Sequence, residues 1–308
     1  LLLDAKVLIF DEPTAVLTPV EIDSFFAVLK KLRSDNKAII FITHKLEEVL
    51  ALADDISIMR KGRVIISTEA DRKQISKRQL ARLMVGRDVV LKVNKQEVAL
   101  GRPVLRLNNF CGEDAFGGTS FHDISFEVRR GEIFSIIGVA GNGQSGLVSA
   151  ITGLTKGVSG TVEFKENTYS AQEWARASKK DIAYVPEDRK SLGLVLDETI
   201  QRNITLTNLP AVSARGVISE SAETRVAENY RGAMNIRTPS VFQKVVNLSG
   251  GNQQKVVLSK WLFAGPEVLI LDEPTRGIDV GAKFEIYGII NALSADGKGV
   301  LMISSEMP

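Results

Sequence analysis

Val268-Leu269-Ile270-Leu271-Asp272-Glu273-Pro274-Thr275 is a short apolar run of buried-strand type that ends in two adjacent carboxylates, and the chain carries it twice. The other copy is Val7-Leu8-Ile9-Phe10-Asp11-Glu12-Pro13-Thr14, so Asp11 meets Asp272, 261 positions on. The match continues without a gap to Ala38-Ile39-Ile40-Phe41-Ile42-Thr43-His44, which meets Gly299-Val300-Leu301-Met302-Ile303-Ser304-Ser305. A period this long signals a duplicated domain rather than a solenoid. In this register Leu1 aligns with Leu262, deep inside the second copy, and the second copy stops at Pro308 where the first continues from Glu48. Both copies are therefore expected to be incomplete, at opposite ends, and a start without Met fits a piece of something longer.

A length of 308 residues allows about two domains. Hydrophobic residues at 44% and charged residues at 25% are ordinary for a folded soluble chain. Thirty-nine Lys+Arg against 37 Asp+Glu leave a net charge of +2, which excludes a generally basic surface of the kind that coats nucleic acid. The single cysteine, Cys111, excludes a disulfide framework and a cysteine-built zinc site, and fits a reducing compartment. No apolar run approaches the roughly 18 residues that span a bilayer, and a signal peptide is not expected.

Around the repeat, the spacing of apolar residues predicts strands at 7–10 and 38–42 and a helix over 21–32. A short helix follows at 47–52, and strands at 56–59 and 63–66 flank Lys61-Gly62 as a hairpin. A helix is expected over 74–85. The first copy then closes at residue 85, residues 86–103 form a polar linker, and the second copy runs over 104–308. It opens with alternating Val104-Leu105-Arg106-Leu107 and Ile124-Ser125-Phe126-Glu127-Val128, of antiparallel type, followed by the strand Ile133–Ile137. Strands and helices alternate thereafter, which gives an α/β class with a mainly parallel sheet.

Three stretches carry phosphate chemistry. Gly138-Val139-Ala140-Gly141-Asn142-Gly143-Gln144-Ser145 lies between that strand and the apolar helix Leu147–Ile151, where backbone N–H groups at a helix start favour an anion. The phosphate-loop pattern wants Lys before the final Ser/Thr; this chain has Gln144. Leu248-Ser249-Gly250-Gly251-Asn252-Gln253-Gln254-Lys255 opens a second helix with N–H donors and a hydroxyl. A plain N-cap would explain Ser249 but not two glycines and a Gln pair. At the end of each repeated strand, one carboxylate can hold Mg²⁺ and the other can polarise an attacking water. A polar strand terminus would serve for one Asp-Glu-Pro, but not for two in the same frame.

The glycine loop, Leu-Ser-Gly-Gly-Asn-Gln-Gln-Lys and Ile-Leu-Asp-Glu-Pro-Thr resemble the phosphate loop, signature and Walker B segments of ABC transporter ATPases, over essentially the whole chain. More narrowly, Val185-Pro186-Glu187-Asp188-Arg189-Lys190, Thr275-Arg276-Gly277-Ile278-Asp279-Val280-Gly281-Ala282-Lys283 and Ile303-Ser304-Ser305-Glu306 look like the tandem-cassette ATPases of bacterial monosaccharide importers of the ribose, xylose and galactose type. The resemblance implies P-loop NTPase-like cassettes with a mainly parallel sheet and an antiparallel β subdomain. It also implies an ATPase using ATP and Mg²⁺, peripheral to the cytoplasmic face of the membrane. Its partners would be transmembrane permease subunits and, indirectly, a sugar-binding protein, with no role for nucleic acid.

Carried over residue by residue, Asp11 is the Mg²⁺-side carboxylate of the first copy, Glu12 the water-polarising base and His44 the switch histidine at the γ-phosphate. The second copy keeps Asp272 for the metal and Glu273 for the water, but has Ser305 for His44, Gln144 for the loop Lys, and Glu187 for the glutamine of the Q-loop. A neutral amide cannot replace the charge-assisted contact of Lys with phosphate, and an added carboxylate repels a triphosphate unless Mg²⁺ intervenes. The first copy thus reads as built to hydrolyse and the second as built to bind. The hydrolysing site would join Asp11, Glu12 and His44 to Ser249, Gly250, Gly251 and Gln253. The other would use Gly138, Gly141, Asn142, Gly143, Gln144 and Ser145, with Ser145 on Mg²⁺, and Asp272 and Glu273. Phe116 is a candidate to stack on adenine or a core phenylalanine, Thr18 stands where the second copy has Asp279, and His122 reads as a surface residue. Competing readings are a nucleoside importer, a non-transport ABC ATPase, which would want a long charged arm in place of residues 86–103, and a nucleotide-binding scaffold without turnover.

Overall fold

Both copies of the repeated run fold as parallel strands. In this computed structural model, residues 5–14, 17–60, 62–69, 75–86, 98–112, 121–138, 141–155, 157–177 and 181–305 are described. They fall into two compact units, residues 1–93 with 277–284, and residues 94–276 with 285–308.

In the first unit, β1 (Val7–Asp11) pairs in parallel with β2 (Ala38–Ile42), Ile9 opposite Ile40. Between them runs α1 (Pro19–Ser34), started by a capping box in which Thr18 Oγ1 accepts from the Glu21 N–H and the Glu21 carboxylate accepts from the Thr18 N–H. Phe25 of α1 meets Phe10 edge to face, ring centroids 5.6 Å apart. Next come α2 (Leu46–Leu52) and the antiparallel pair β3 (Asp55–Arg60) and β4 (Arg63–Glu69). Then α3 (Lys77–Val85) begins three residues later than the spacing predicts, because Ser76 and Gln79 form a second capping box. Ile56, Ile58 and Leu80 make a small core there, with Leu46, Val49 and Leu50 against it.

In the second unit, β5 (Pro103–Gly112) and β6 (Phe121–Arg129) are longer than their alternating segments suggest, and β5 begins on the last residue assigned to the linker. After β7 (Ile133–Ile137) and α4 (Gln144–Ile151) come β8 (Ser159–Phe164) and β9 (Asn167–Ser170), giving an antiparallel sheet ordered β6-β5-β8-β9. α5 (Ala171–Arg176), β10 (Ile182–Val185) and α6 (Ile200–Thr205) lead to the small hairpin β11 (Ser213–Ala214) and β12 (Val217–Ile218). α7 (Glu220–Ala233), α8 (Gly250–Phe263), β13 (Val268–Asp272), α9 (Val280–Ala295) and β14 (Gly299–Ser304) complete the order. β10, β13, β14 and β7 form one parallel sheet in that spatial order. Its core joins Val268, Ile270, Leu301 and Ile303 to Val148 and Ile151 of α4 and to Phe110 and Trp174. The fold class is thus α/β, a parallel sheet accompanied by an antiparallel one.

The equivalent positions of the two copies are buried very differently. Val7, Ile9, Ile40 and Ile42 are 53%, 66%, 51% and 48% exposed, whereas Val268, Ile270, Leu301 and Ile303 are all buried. The second sheet has four strands and helices against it; among the described residues, the first has two strands.

Candidate functional site

The C-terminal ends of parallel strands collect loops on one edge, which is where open α/β sheets bind ligands. The loop after β7 contains Gly138, Gly141, Asn142 and Gly143, and α4 starts at Gln144; Val139 and Ala140 lie outside the described residues. Gly141 and Gly143 both have φ of +93°, a left-handed conformation that glycine takes without strain. Gly143 is the N-cap of α4 and puts no side-chain cap on the helix, a helix start of the kind that favours an anion. A Cβ at Gly138 would sit 2.4 Å from Gln144 Nε2, so the Gln144 side chain folds back over the start of the loop. Ser145 is exposed in the first turn of α4.

Across the edge, Asp272 ends β13 and is 4% exposed. Its carboxylate accepts a hydrogen bond from Tyr184 Oη of β10 at 3.4 Å. Burial, and then the charge of Glu273, push its pKa up to about 6. Burial, with the Asp272 charge behind it, raises the Tyr184 hydroxyl too, so that it stays a donor. A carboxylate with this little compensation, on the same sheet edge as the loop after β7, suits Mg²⁺, which binds through one or two carboxylates and fills its octahedron with phosphate and water. Among the described residues no three His, Cys, Asp or Glu side chains gather as a metal site, so such an ion would need those extra oxygens. The loop and the acid pair therefore fit a magnesium nucleotide.

The two copies place their second carboxylate alike. Glu12 and Glu273 both have φ of +45°, uncommon for a residue with a side chain, and each donates its N–H to the matching strand, Glu12 to Ile42 O and Glu273 to Ile303 O. What meets the carboxylate then differs. In the first copy His44 Nδ1 lies 2.8 Å from Glu12 Oε1. In the second the backbone N–H of Ser305 donates to Glu273 Oε1. The first copy thus pairs its acid with a titratable ring and the second with a fixed amide. Asp11 is exposed at the end of β1.

Other residues deepen this arrangement. Glu48, buried in the first unit, accepts from Thr14 Oγ1 at 2.5 Å and Thr43 Oγ1 at 2.8 Å, and Lys45 Nζ reaches its carboxylate at 3.4 Å. The residues that flank His44 are thereby anchored. In the second unit Glu187, after β10, is ion-paired with Arg276, after β13. Sequence reading had no signal for Glu48, and had Arg276 only inside a longer resemblance.

The helix-start segment of α8 divides. Ser249 is its N-cap but does not cap the helix; its Oγ instead accepts from Asn252 Nδ2 at 3.0 Å. Gly250 and Gly251 form the first turn, so their N–H groups remain at the helix start. Gln253 is 4% exposed and its amide donates to Val245 O at 3.2 Å, which turns the side chain inward. Thr18 caps α1, and Asp279 Oδ1 accepts from the Ala282 N–H, so both are capping residues. His122 is exposed on β6. Phe116 lies outside the described residues.

Comparison with known proteins gives the family and the fold. The ABC transporter family model matches residues 121–276. A ribose import ATP-binding protein of Streptomyces coelicolor is 43% identical over 306 residues, 99% of this chain and 58% of that protein. The L-arabinose transport ATP-binding protein of Geobacillus stearothermophilus is 42% identical over 317 residues, 99% of this chain and 60% of that protein. The chain therefore spans about three-fifths of the length of these relatives. Among solved structures, a dimeric ATP-binding cassette in a post-hydrolysis state with ADP and Pi superposes with a TM-score of 0.54 at 22% identity, over 66% of this chain and 88% of that one. A cassette in its ADP conformation gives 0.55 at 21%, over 67% and 83%. These two likenesses establish the ABC cassette fold.

Proposed function

The chain belongs to the ABC transporter family, and from that we propose that it is part of an ATP-binding subunit that powers import of a monosaccharide through membrane permease subunits. Ribose and arabinose in the names of its relatives support the sugar class. Such a subunit would work at the cytoplasmic face of the membrane, beside its permease and indirectly a sugar-binding protein. No helix among the described residues is long and apolar enough to cross a membrane itself.

We further propose that the first copy is the hydrolysing cassette and the second a nucleotide-holding one. The observation that carries this is the contrast between Glu12 with His44 Nδ1 at 2.8 Å and Glu273 with the Ser305 backbone N–H. In the second copy the N–H groups around Gly143 would hold phosphate oxygens, and Ser145 and Asp272 would hold Mg²⁺. Bound magnesium would neutralise phosphate charge. In the first copy Asp11 would take the metal side, and Glu12 would draw the proton from the attacking water with His44 fixing the carboxylate's direction. In the second, an acid held by a backbone amide and a loop with Gln144 in place of Lys leave the phosphates less well poised. Ser249, Gly250 and Gly251 are the part of the signature segment that would meet a phosphate; the inward turn of Gln253 argues against a direct contact from its side chain.

Calorimetric titration of the 308-residue chain with Mg·ATP, paired with a phosphate-release assay, tests this. Saturable binding without turnover is expected. Turnover that disappears in Glu273→Gln would show the second copy to be catalytic and would overturn the division of labour.

A further inference from the structure

The second copy lacks a positive charge in its glycine loop and carries one elsewhere on the same edge of the sheet. Gln144 stands at the lysine position, and an amide dipole does not replace a full charge against phosphate. β7, β14, β13 and β10 are parallel neighbours, so the loop after β7, Ser305 after β14, Asp272 and Glu273 after β13, and Glu187 after β10 share one edge. Asp272, Glu273 and Glu187 therefore lie along the edge that the glycine loop also lines. Arg276, three residues past Glu273, has its guanidinium on Glu187. Arg189 Nη1 donates to the Arg276 carbonyl at 2.9 Å, which clips the loop after β10 to the segment after β13.

The pair is not a buried structural bridge. The Arg276 and Glu187 side chains are 39% and 37% exposed. An ion pair this open is weakly held and exchanges partners readily. The ends of β13 and β7 are two strand spacings apart, about 10 Å, within the combined reach of an arginine and a triphosphate chain. The planar guanidinium fork also matches phosphate oxygens in two-point geometry better than an ammonium does.

We propose that Arg276 is a nucleotide-binding residue of the second cassette, supplying to the triphosphate the charge that Gln144 does not, with Glu187 holding the guanidinium at the edge until the phosphates arrive. The proposal rests on the reading of Gly138–Ser145 as a phosphate loop. It explains why a carboxylate occupies the position after β10. Glu187 sits there with a cation of its own, and releasing that cation to the nucleotide leaves a carboxylate free to face the accompanying magnesium.

The test is calorimetric binding of ATP and, separately, of AMP to the 308-residue chain, with and without Mg²⁺, for wild type, Arg276→Ala, Arg276→Lys and Glu187→Gln. Arg276→Ala should weaken ATP about tenfold and leave AMP within about twofold, since one charge-assisted contact to the outer phosphates is lost. Arg276→Lys should recover part of the loss. Glu187→Gln should tighten ATP in the absence of Mg²⁺, because the competitor for Arg276 and one repelling charge both go. ATP binding by Arg276→Ala equal to wild type overturns the proposal. So does an equal loss for ATP and AMP, which marks a structural role. If Arg276→Ala does not fold, Glu187→Gln decides alone, and weaker Mg²⁺-free binding there overturns it. A wild-type chain that binds no ATP overturns the phosphate-loop reading itself, a different result from binding that is indifferent to Arg276.

Discussion

Asp272 offers a test of the site that needs no ligand. Its carboxyl is almost wholly buried, accepts one hydrogen bond, at 3.4 Å from Tyr184, and has Glu273 for a neighbour. With a pKa of about 6 in the folded chain against an ordinary 3.8, the folded state keeps a proton that the unfolded state has already released. Stability contributed at this position is therefore whole below about pH 4 and is lost as pH rises through about 6. Fully ionised, the side chain costs the fold about 3 kcal/mol, from about 1.4 kcal/mol per tenfold change in proton affinity. Asp272→Asn removes the charge, keeps an oxygen for Tyr184, and should stabilise the second unit by up to about 3 kcal/mol at pH 7.5 and by about half that at pH 5. Urea unfolding followed by tryptophan fluorescence reads this unit alone, because Trp174 and Trp261 both belong to it. A shift of midpoint to lower urea at pH 7.5, or a gain that does not shrink at pH 5, would refute the reasoning. With saturating Mg·ATP the order should reverse, wild type gaining the more, because the ion rewards the charge that burial penalises.

Two further expectations follow from burial. Ile270→Ala should cost about 2–5 kcal/mol in the second unit, while Ile9→Ala, at the matching position but 66% exposed, should cost under about 1 kcal/mol; chemical denaturation of the two variants, read for each unit, compares them. Lys255→Ala should cost about 3–5 kcal/mol, because Lys255 Nζ bonds Glu285 at 2.6 Å and Asn235 O at 2.9 Å in the interior, and its loss takes from the Glu285 carboxylate the buried cation that faces it; a loss below about 1 kcal/mol in urea would contradict it.

Much of this architecture is legible from a single repeat. A run such as Val268–Leu271 is apolar at every position because its strand is covered on both faces, so it reads as a parallel strand without further help. The glycines of the loop after β7 and Gly250-Gly251 announce themselves because anion binding by backbone N–H groups leaves a compositional mark. Side-chain partnerships formed across the sheet edge leave none. Glu187 and Arg276 are brought together only by the adjacency of β10 and β13, which no local spacing encodes. The inward turn of Gln253 was likewise invisible, since the carbonyl it donates to, Val245 O, belongs to the turn before the helix. Thr18 and Asp279, at matching positions of the two copies, both act as helix caps, a role their one-letter difference does not announce. Glu48 was hidden for a related reason: a buried carboxylate whose partners, Thr14 and Thr43, lie 34 and 5 positions away has no motif.

The proposed division between a hydrolysing and a holding copy is tested most directly in a longer chain that carries both cassettes complete and is assembled with permease subunits, by measuring steady-state ATP hydrolysis in Glu12→Gln and Glu273→Gln side by side. A water-polarising carboxylate matters where the phosphates are poised for attack, and the proposal puts that place in the first copy, where His44 Nδ1 meets Glu12. Glu12→Gln should lower the rate by about a hundredfold or more, and Glu273→Gln should leave it within about threefold of wild type. Equal losses in the two variants would mean that the second copy hydrolyses ATP as well, and the reading of Gln144 and Ser305 as marks of a holding site would be wrong.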